Sequence, residues 1–230
     1  MIRRLGVLGG TFDPIHYGHL DAADAARRAL ALDLIRVLPS HDPPHRADPN
    51  ATSFHRFALV SLAINTLTGY EASDVELRRD GPTYTIDTLN AITTEGWSPS
   101  QIFFILGADA FADIATWHRY PAVLDAANFV VIARTGRSLE TALARIPEHR
   151  HRVSRSEASH AGSLEQTRIF PVDAQTRDVS STLVRARLQA GQPIDDLVPS
   201  AVARHIHTHH LYGAVGELHG QDTRRDSQSV

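Results

Sequence analysis

Short apolar runs alternate with longer amphipathic stretches along the chain, and this alternation predicts strands and helices in turn. Strands are predicted where β-rich runs occur, at residues 3–9, 34–40, 75–77, 102–109, 128–135 and 167–173. Helices are predicted where apolar residues recur at helical spacing, at residues 14–32, 52–67, 82–92, 109–117, 180–191 and 199–210. The runs IFFILGAD and NFVVIART are typical of parallel strands that are buried on both faces.

The alternation predicts an α/β fold: a Rossmann-like, doubly wound, mostly parallel sheet with helices on both faces. We expect one domain over residues 1–212, followed by a polar, flexible tail over residues 213–230. In such a sheet, ligands bind beyond the carboxyl ends of the strands. Chemistry is therefore expected where Gly9, Ser40 and Gly107 follow apolar strands.

The composition narrows the classes of function. Apolar residues make up 42% of the chain and charged residues 21%, which suits a globular protein with a sizeable core. The net charge of −3 argues against an extended nucleic-acid surface. The chain has no cysteine, and all 23 of its Lys and Arg residues are arginine, so thiol nucleophiles, the P-loop lysine and Schiff bases are excluded. Without a long apolar run we expect no membrane association and a cytoplasmic location.

The stretch GGTFDPIHYGH, residues 9–19, joins the first predicted strand to the first predicted helix. Asp13 is a favoured N-cap and Pro14 suits the first helical position, so we expect the helix to begin there. A helix N-terminus presents free N–H groups and a positive dipole end, which bind anions. His16 and His19 would then share one face of the first turn. Taken alone, a histidine pair is better interpreted as solvated side chains beside a tight turn, but the glycines, the N-cap and the proline around this pair agree with an anion site.

A second helix start, DVSSTLVRARL at residues 178–188, offers a similar arrangement. Ser180, Ser181 and Thr182 supply hydroxyl groups, and the guanidinium of Arg185 follows one turn later. Taken alone, this stretch is better interpreted as plain capping of a helix by serine.

Taken whole, GGTFDPIHYGH resembles the GxFxPxHxGH signature of the HxGH nucleotidyltransferase superfamily. DVSSTLVRARL is similar to the ISSTxxR motif of that superfamily, with Val179 in place of isoleucine. The resemblance implies that His16 and His19 are catalytic, binding phosphates and stabilising the transition state. It implies an ATP site formed by Gly9, Gly10, Thr11, Phe12, His16, His19, Gly107, Asp109, Ser180, Ser181, Thr182 and Arg185.

Further segments are similar to those of the bacterial nicotinate-nucleotide adenylyltransferase family. LPSHDPPHR resembles its Pro-Pro-His-Lys/Arg loop, GPTYTIDTL its (A/G)-P-S/T-Y-T segment, and ILGADAFADIATWHRY its G-x-D…W segment, while ARTG stands where that family has R-P-G. The implied contacts to nicotinate mononucleotide come from Ser40, His45, Arg46, Tyr84, Thr85, Asp109, Trp117 and Arg134. Taken alone, Trp117 is better interpreted as a core residue, Tyr84 also fits a core role, and Arg46 fits a solvated loop.

The resemblance implies adenylyl transfer from ATP to nicotinate mononucleotide in NAD biosynthesis, with Mg²⁺ carried on the ATP phosphates. Two alternatives stay open: nicotinamide mononucleotide as the acceptor, and a nucleotide-binding regulator without activity. The expected partners are the two nucleotides, and self-association into a homo-oligomer also stays open. The HIHTHH run at residues 205–210 does not by itself indicate a metal site, because no cysteine or carboxylate accompanies it.

Overall fold

The computed structural model describes residues 3–42, 49–133, 143–154 and 166–214. The strands within these ranges are β1 (Leu5–Gly10), β2 (Leu34–Pro39), β3 (Tyr70–Ala72), β4 (Ile102–Gly107), β5 (Asn128–Ala133) and β6 (Ile169–Asp173). The α-helices are α1 (Tyr17–Leu30), α2 (Ser53–Ile64), α3 (Thr85–Thr94), α4 (Ala108–Ala112), α5 (Ser181–Gln189) and α6 (Ser200–Thr208). Among the described residues, no helix has the length and apolar character needed to cross a membrane.

The described strands form one sheet in the order β3-β2-β1-β4-β5-β6, and every neighbouring pair is parallel. The predicted α/β sheet is confirmed, and it is parallel throughout this part of the chain. From β1 the chain first adds β2 and β3 on one side and then β4, β5 and β6 on the other side. Ligands bind beyond the carboxyl ends of the strands at such a switch point, which here lies between β1 and β4. The segments that follow β1, β2 and β4 therefore meet at one edge.

Helices cover both faces of the sheet, as predicted. On β4, Phe103 and Ile105 pack with α1, α2, α5 and α6, whereas Phe104 and Leu106 pack with α3 and α4. Alternate residues of a strand point to opposite faces, so two helix layers need strands that are apolar throughout. The uniformly buried Asn128–Ala133 strand meets that requirement.

The prediction of a strand at residues 75–77 is wrong. The strand next to β2 is Tyr70–Ala72, and the predicted residues form a turn in which the N–H of Leu77 donates to the Asp74 carbonyl at 2.9 Å. Glu76 explains the turn, because its buried carboxylate accepts a hydrogen bond from the Thr88 hydroxyl at 2.7 Å.

The prediction that α3 is entered through Pro82 is also wrong, because the helix begins at Thr85 with Tyr84 as its N-cap. Thr83 holds the preceding backbone away from the helix. Its N–H donates to the Asp42 carbonyl at 2.8 Å, and its hydroxyl accepts the Asp42 N–H at 3.2 Å.

Candidate active site

The loop between β1 and α1 brings the two histidines of the first motif together. His16 caps α1 and His19 is the third residue of the helix, and their rings stack with centroids 3.7 Å apart and planes 23° apart. The backbone N–H of His16 donates to Nδ1 of His19 at 3.3 Å. Phe12 meets the His19 ring edge-on, with 5.0 Å between centroids. These contacts fix the orientation of the imidazole pair at the sheet edge.

The predicted start of this helix is wrong. Asp13 does not cap α1 and Pro14 lies outside it, because the helix begins at Tyr17. The Asp13 carboxylate is buried and accepts the backbone N–H groups of Asn50 at 2.8 Å and Ala51 at 3.0 Å. Two bonds to the segment before α2 therefore take the place of the expected helix cap.

Gly18 permits close packing at the start of α1. A Cβ atom at this position would lie 3.2 Å from Nδ1 of His16 and 3.3 Å from the Arg177 carbonyl oxygen. The adjacent N–H of Tyr17 donates to the Leu197 carbonyl at 2.9 Å. One of the N–H groups that we expected to face an anion is therefore bonded within the protein.

The second motif lies against the first. Ser180 caps α5, and its Oγ accepts the Leu183 N–H at 3.1 Å. Ser181 donates its hydroxyl to the Pro14 carbonyl at 2.9 Å, and Nη1 of Arg185 donates to the Asp13 carbonyl at 2.6 Å. The starts of α1 and α5, which are far apart in the sequence, are thus joined by two direct hydrogen bonds. Thr182 follows at the second position of α5.

Other predicted ATP residues lie at the ends of β1 and β4. Gly9 and Gly10 close β1, and Thr11 follows them directly. Gly107 ends β4 and caps α4, and Asp109 is the second residue of α4; both are exposed. Because β1 and β4 are parallel neighbours, these positions share the edge that carries the histidines.

The residues predicted for the mononucleotide come from three other places in the chain. Ser40 follows β2, and its buried Oγ has no hydrogen-bond partner in the described structure. Tyr84 caps α3, and Thr85 is the first residue of that helix. The Tyr84 ring stacks on the His118 ring with centroids 4.1 Å apart. Trp117 meets the Phe104 ring edge-on at 6.1 Å. His45, Arg46 and Arg134 lie outside the described residues.

Two buried polar residues near this edge were not predicted as site residues from the sequence. Arg56 is 1% exposed and donates to three backbone carbonyl groups. Glu76 is 6% exposed, and its burial raises the pKa of the carboxyl group to about 7 despite the Thr88 hydrogen bond. The helical pattern did contain a signal for the arginine, because Arg56 falls on the apolar face of α2 with Leu59 and Val60.

Another tyrosine, Tyr212, reaches the same region from the C-terminal side of α6. Its side chain is buried, and this burial together with the nearby Asp13 carboxylate raises the pKa of its hydroxyl group. The described residues contain no group of three or more His, Cys, Asp or Glu side chains placed to hold a metal ion.

A cavity of about 590 Å³ lies between α1 and the end of β6. Asp21 and Asp24 line it from the helix, and Asp173 lines it from the end of β6. Arg28 also lines the cavity and pairs with Asp24 at 2.8 Å. No residue of the two motifs lines this cavity, so it is not the anion site that the motifs predict.

Comparisons with known proteins agree with the two motifs. The cytidylyltransferase-like family profile matches residues 7–187. A Shewanella baltica protein named "Probable nicotinate-nucleotide adenylyltransferase" is 39% identical over 206 residues, covering 85% of this chain and 93% of the relative. A protein of the same name from Shewanella sp. strain ANA-3 is 37% identical over 211 residues, covering 91% and 99%.

Solved structures show the same fold. The nicotinic acid mononucleotide adenylyltransferase of Plasmodium falciparum, complexed with NaAD, matches with a TM-score of 0.68 and 19% identity, covering 92% of this chain and 98% of that one. A Vibrio parahaemolyticus protein named "Putative Nicotinate-nucleotide Adenylyltransferase" matches with a TM-score of 0.55 and 18% identity, covering 91% of this chain and 95% of that one. At these identities the likeness concerns the architecture alone.

Proposed function

Because this chain belongs to the cytidylyltransferase-like family, we propose that it transfers the adenylyl group of ATP to nicotinate mononucleotide, a step of NAD biosynthesis. The products are nicotinate adenine dinucleotide and pyrophosphate. The observation that carries the proposal is the junction of the two motifs, where Arg185 and Ser181 donate to the loop that precedes the histidine pair. The names of the relatives support the choice of acceptor.

The nucleophile is a phosphate oxygen of the mononucleotide. A phosphate monoester has its second pKa near 6, so it is largely ionised at neutral pH and needs no general base. The oxygen forms a bond to the α-phosphorus of ATP, and the bond from that phosphorus to the bridging oxygen breaks, which releases pyrophosphate. The barrier lies in bringing two anions together, and positioning and charge stabilisation lower it.

The hydrogen bond within the histidine pair assigns His19 a donor role. Its Nδ1 accepts the N–H of His16, so in the neutral imidazole the proton is on Nε2. The Nε2–H group can then donate to a phosphate oxygen as negative charge builds on the leaving group. The stack on His16 and the edge contact from Phe12 hold this ring in one orientation.

The polar side chains assigned to the ATP site are imidazoles, hydroxyls and a guanidinium, with Asp109 as the single carboxylate. Such a set suits Mg²⁺ that is carried on the phosphates rather than a cage built by the protein. When bound, the ion would neutralise part of the phosphate charge. His16, His19, Ser180, Thr182 and Arg185 would contact the same phosphates.

Ser40, Tyr84, Thr85 and Trp117 are proposed to bind the mononucleotide, with Asp109 on a ribose hydroxyl. The unpartnered hydroxyl of Ser40 and the exposed carboxylate of Asp109 support these roles. His45, Arg46 and Arg134 stay predictions. A cytoplasmic location is also proposed, in keeping with a step of NAD biosynthesis.

A pyrophosphate-release assay with ATP and each acceptor tests the function. We expect turnover with nicotinate mononucleotide, formation of the dinucleotide by mass spectrometry, and a kcat/KM at least about tenfold lower with nicotinamide mononucleotide. Chelation should abolish turnover, and added Mg²⁺ should restore it. Turnover that favours the amide would reassign the acceptor, and absence of turnover with either acceptor would contradict the proposal and favour a nucleotide-binding regulator.

A further inference from the structure

Arg56 of α2 is a buried cation whose recorded hydrogen bonds all go to the backbone. Its Nη1 donates to the Thr11 carbonyl at 2.7 Å, Nη2 to the His41 carbonyl at 3.2 Å and Nε to the Ala51 carbonyl at 3.2 Å. The three acceptors belong to three different segments: the loops after β1 and β2, and the approach to α2. Burying a guanidinium costs free energy unless its N–H groups are hydrogen-bonded. Moving any of the three segments away would leave a buried donor without its acceptor, and this penalty keeps the segments in place.

The bond to Thr11 fixes part of the loop between β1 and α1, which is proposed to bind phosphate. In a trans peptide the carbonyl group and the following N–H point in opposite directions. Holding the Thr11 carbonyl towards Arg56 therefore aims the N–H of Phe12 away from it. Phe12 has a φ of 50°, an uncommon value for a residue with a side chain, so this loop needs outside support to keep its shape.

The bond to Ala51 reaches the second motif through Asp13. Ala51 accepts from Arg56 with its carbonyl oxygen and donates its N–H to the Asp13 carboxylate at 3.0 Å. The carbonyl of Asp13 in turn accepts from Arg185 at 2.6 Å. A continuous series of hydrogen bonds thus runs from Arg56 to the guanidinium proposed to bind the triphosphate.

The bond to His41 reaches the proposed mononucleotide residues. The His41 carbonyl accepts from Arg56, and the N–H on the other side of that peptide, from Asp42, donates to the Thr83 hydroxyl at 3.2 Å. Thr83 directly precedes Tyr84, and its own N–H donates to the Asp42 carbonyl at 2.8 Å. The same guanidinium therefore supports both ends of the proposed site.

We propose that Arg56 is a positioning residue for adenylyl transfer, whose three carbonyl bonds set the geometry in which the mononucleotide phosphate meets the triphosphate. This inference rests on the proposed function. Arginine suits the task because its planar fork carries donors on three nitrogen atoms, whereas a lysine ammonium is a single point. Arg56 touches neither substrate in this scheme and acts through the backbone of the loops.

The test compares Arg56→Lys and Arg56→Met with a matched control at the opposite sheet edge. Asn128 is fully buried at the start of β5, and its side chain donates to the Ile102 carbonyl at 3.1 Å and accepts the Arg168 N–H at 2.9 Å. Asn128→Ala therefore also removes buried bonds to the backbone, but far from the site. For each protein, kcat and both KM values are measured well below its thermal midpoint, and ATP binding is measured alone by calorimetry.

We expect both Arg56 variants to lower kcat by roughly 30-fold to 100-fold, the scale of a small misplacement of reacting groups. The Kd for ATP alone should rise less than kcat falls, because the side chains that contact the phosphates remain although the bonds to Thr11 and Ala51 are lost. Asn128→Ala should lower the thermal midpoint but keep kcat within about twofold. Thr83→Val should raise the KM for the mononucleotide and not that for ATP.

Arg56→Lys keeps the charge and provides the result if Arg56→Met does not fold. A kcat within about threefold of wild type for a folded Arg56 variant would overturn the positioning role and leave Arg56 a structural residue. A fall in kcat that Asn128→Ala reproduces would do the same. Absence of turnover in the wild-type protein would contradict the proposed function, and the positioning role with it.

Discussion

The triphosphate end and the mononucleotide end of the proposed site are built in different ways. The triphosphate end consists of residues 9–19 and 180–185, which are two helix starts joined by direct hydrogen bonds. The mononucleotide end consists of residues 40–42 after β2, residues 83–85 at the start of α3, and Trp117 after a 3₁₀ turn. At the first end, side chains of α5 donate directly to backbone carbonyl groups of the loop before α1. At the second end, the first two segments meet through Thr83 and the backbone of Asp42, whose N–H donates to the Thr83 hydroxyl.

This difference predicts different kinetic consequences for mutations. Donors at a helix start act on charge that develops in the transition state, so their loss should lower kcat. Aromatic contacts at the mononucleotide end act equally on the ground state and the transition state, so their loss should raise KM. Mutations at each end therefore test whether the triphosphate end acts on kcat and the mononucleotide end on KM.

The largest effect is expected from His19→Ala at the triphosphate end. Loss of one preorganised donor typically costs about 3 to 4 kcal/mol, so kcat should fall by about a hundredfold or more while the KM for ATP changes little. Steady-state pyrophosphate release measures both. His19→Asn is the matched variant, because its side-chain oxygen can still accept the His16 N–H and its amide can donate. A kcat within about threefold of wild type in His19→Ala would remove this histidine from catalysis.

A pH-dependent change in stability is expected from Glu76, behind the mononucleotide end. The folded pKa of about 7 lies above the unfolded value near 4.5, so the folded state binds the extra proton between these values. The stabilisation is therefore present at low pH and is lost as the pH rises from about 5 to 7. Since one pKa unit corresponds to about 1.4 kcal/mol, the loss is on the order of 3 kcal/mol relative to Glu76→Gln.

Denaturant unfolding of wild type and Glu76→Gln at pH 5, 6, 7 and 8 measures this difference. Thr88→Val removes the hydroxyl that donates to Glu76 at 2.7 Å and should raise the pKa of the carboxyl group further. Parallel stability curves for wild type and Glu76→Gln over this range would contradict a raised pKa at this site.

A smaller effect is expected from Trp117→Ala. Stacking of a nucleotide ring on an aromatic side chain contributes about 1 to 3 kcal/mol, so the KM for the mononucleotide should rise about tenfold. The KM for ATP should not change. Trp97→Ala is the control, because Trp97 precedes β4 at the other sheet edge, where Arg3 lies 5.2 Å from its ring. Equal effects of the two substitutions on the mononucleotide KM would exclude a specific contact.

The sequence allowed good predictions where the determinants are local. The buried strands β4 and β5 follow from uninterrupted apolar runs, and the pairing of His16 with His19 follows from their separation by three positions. The start of the helix was mispredicted for a non-local reason. Asp13 has the chemistry of an N-cap, but the N–H groups of Asn50 and Ala51 lie within reach of its carboxylate in the fold.

Arg56 and Glu76 could not be assigned from local pattern because their partners are distant in the sequence. The Thr11 carbonyl lies 45 positions from Arg56, and Thr88 lies 12 positions from Glu76. A charged residue on a helix or in a turn is ordinarily solvated, so burial becomes visible only when the surrounding loops are in place. The spacing of Arg56 with Leu59 and Val60 was the single usable hint.

The smallest effect, from Ser181→Ala, separates support of the triphosphate end from direct binding. The Ser181 hydroxyl donates to the Pro14 carbonyl at 2.9 Å, so its removal should lower the unfolding free energy by about 1 kcal/mol and kcat only severalfold. Ser61→Ala is matched in chemistry, because Ser61 also donates to a backbone carbonyl, that of Phe57, at 2.9 Å within α2. Ser61→Ala should leave kcat unchanged. If Ser181→Ala instead raises the KM for ATP tenfold with kcat unaltered, the Ser181 hydroxyl binds the nucleotide directly, as proposed for its neighbours on α5, rather than supporting the loop before α1.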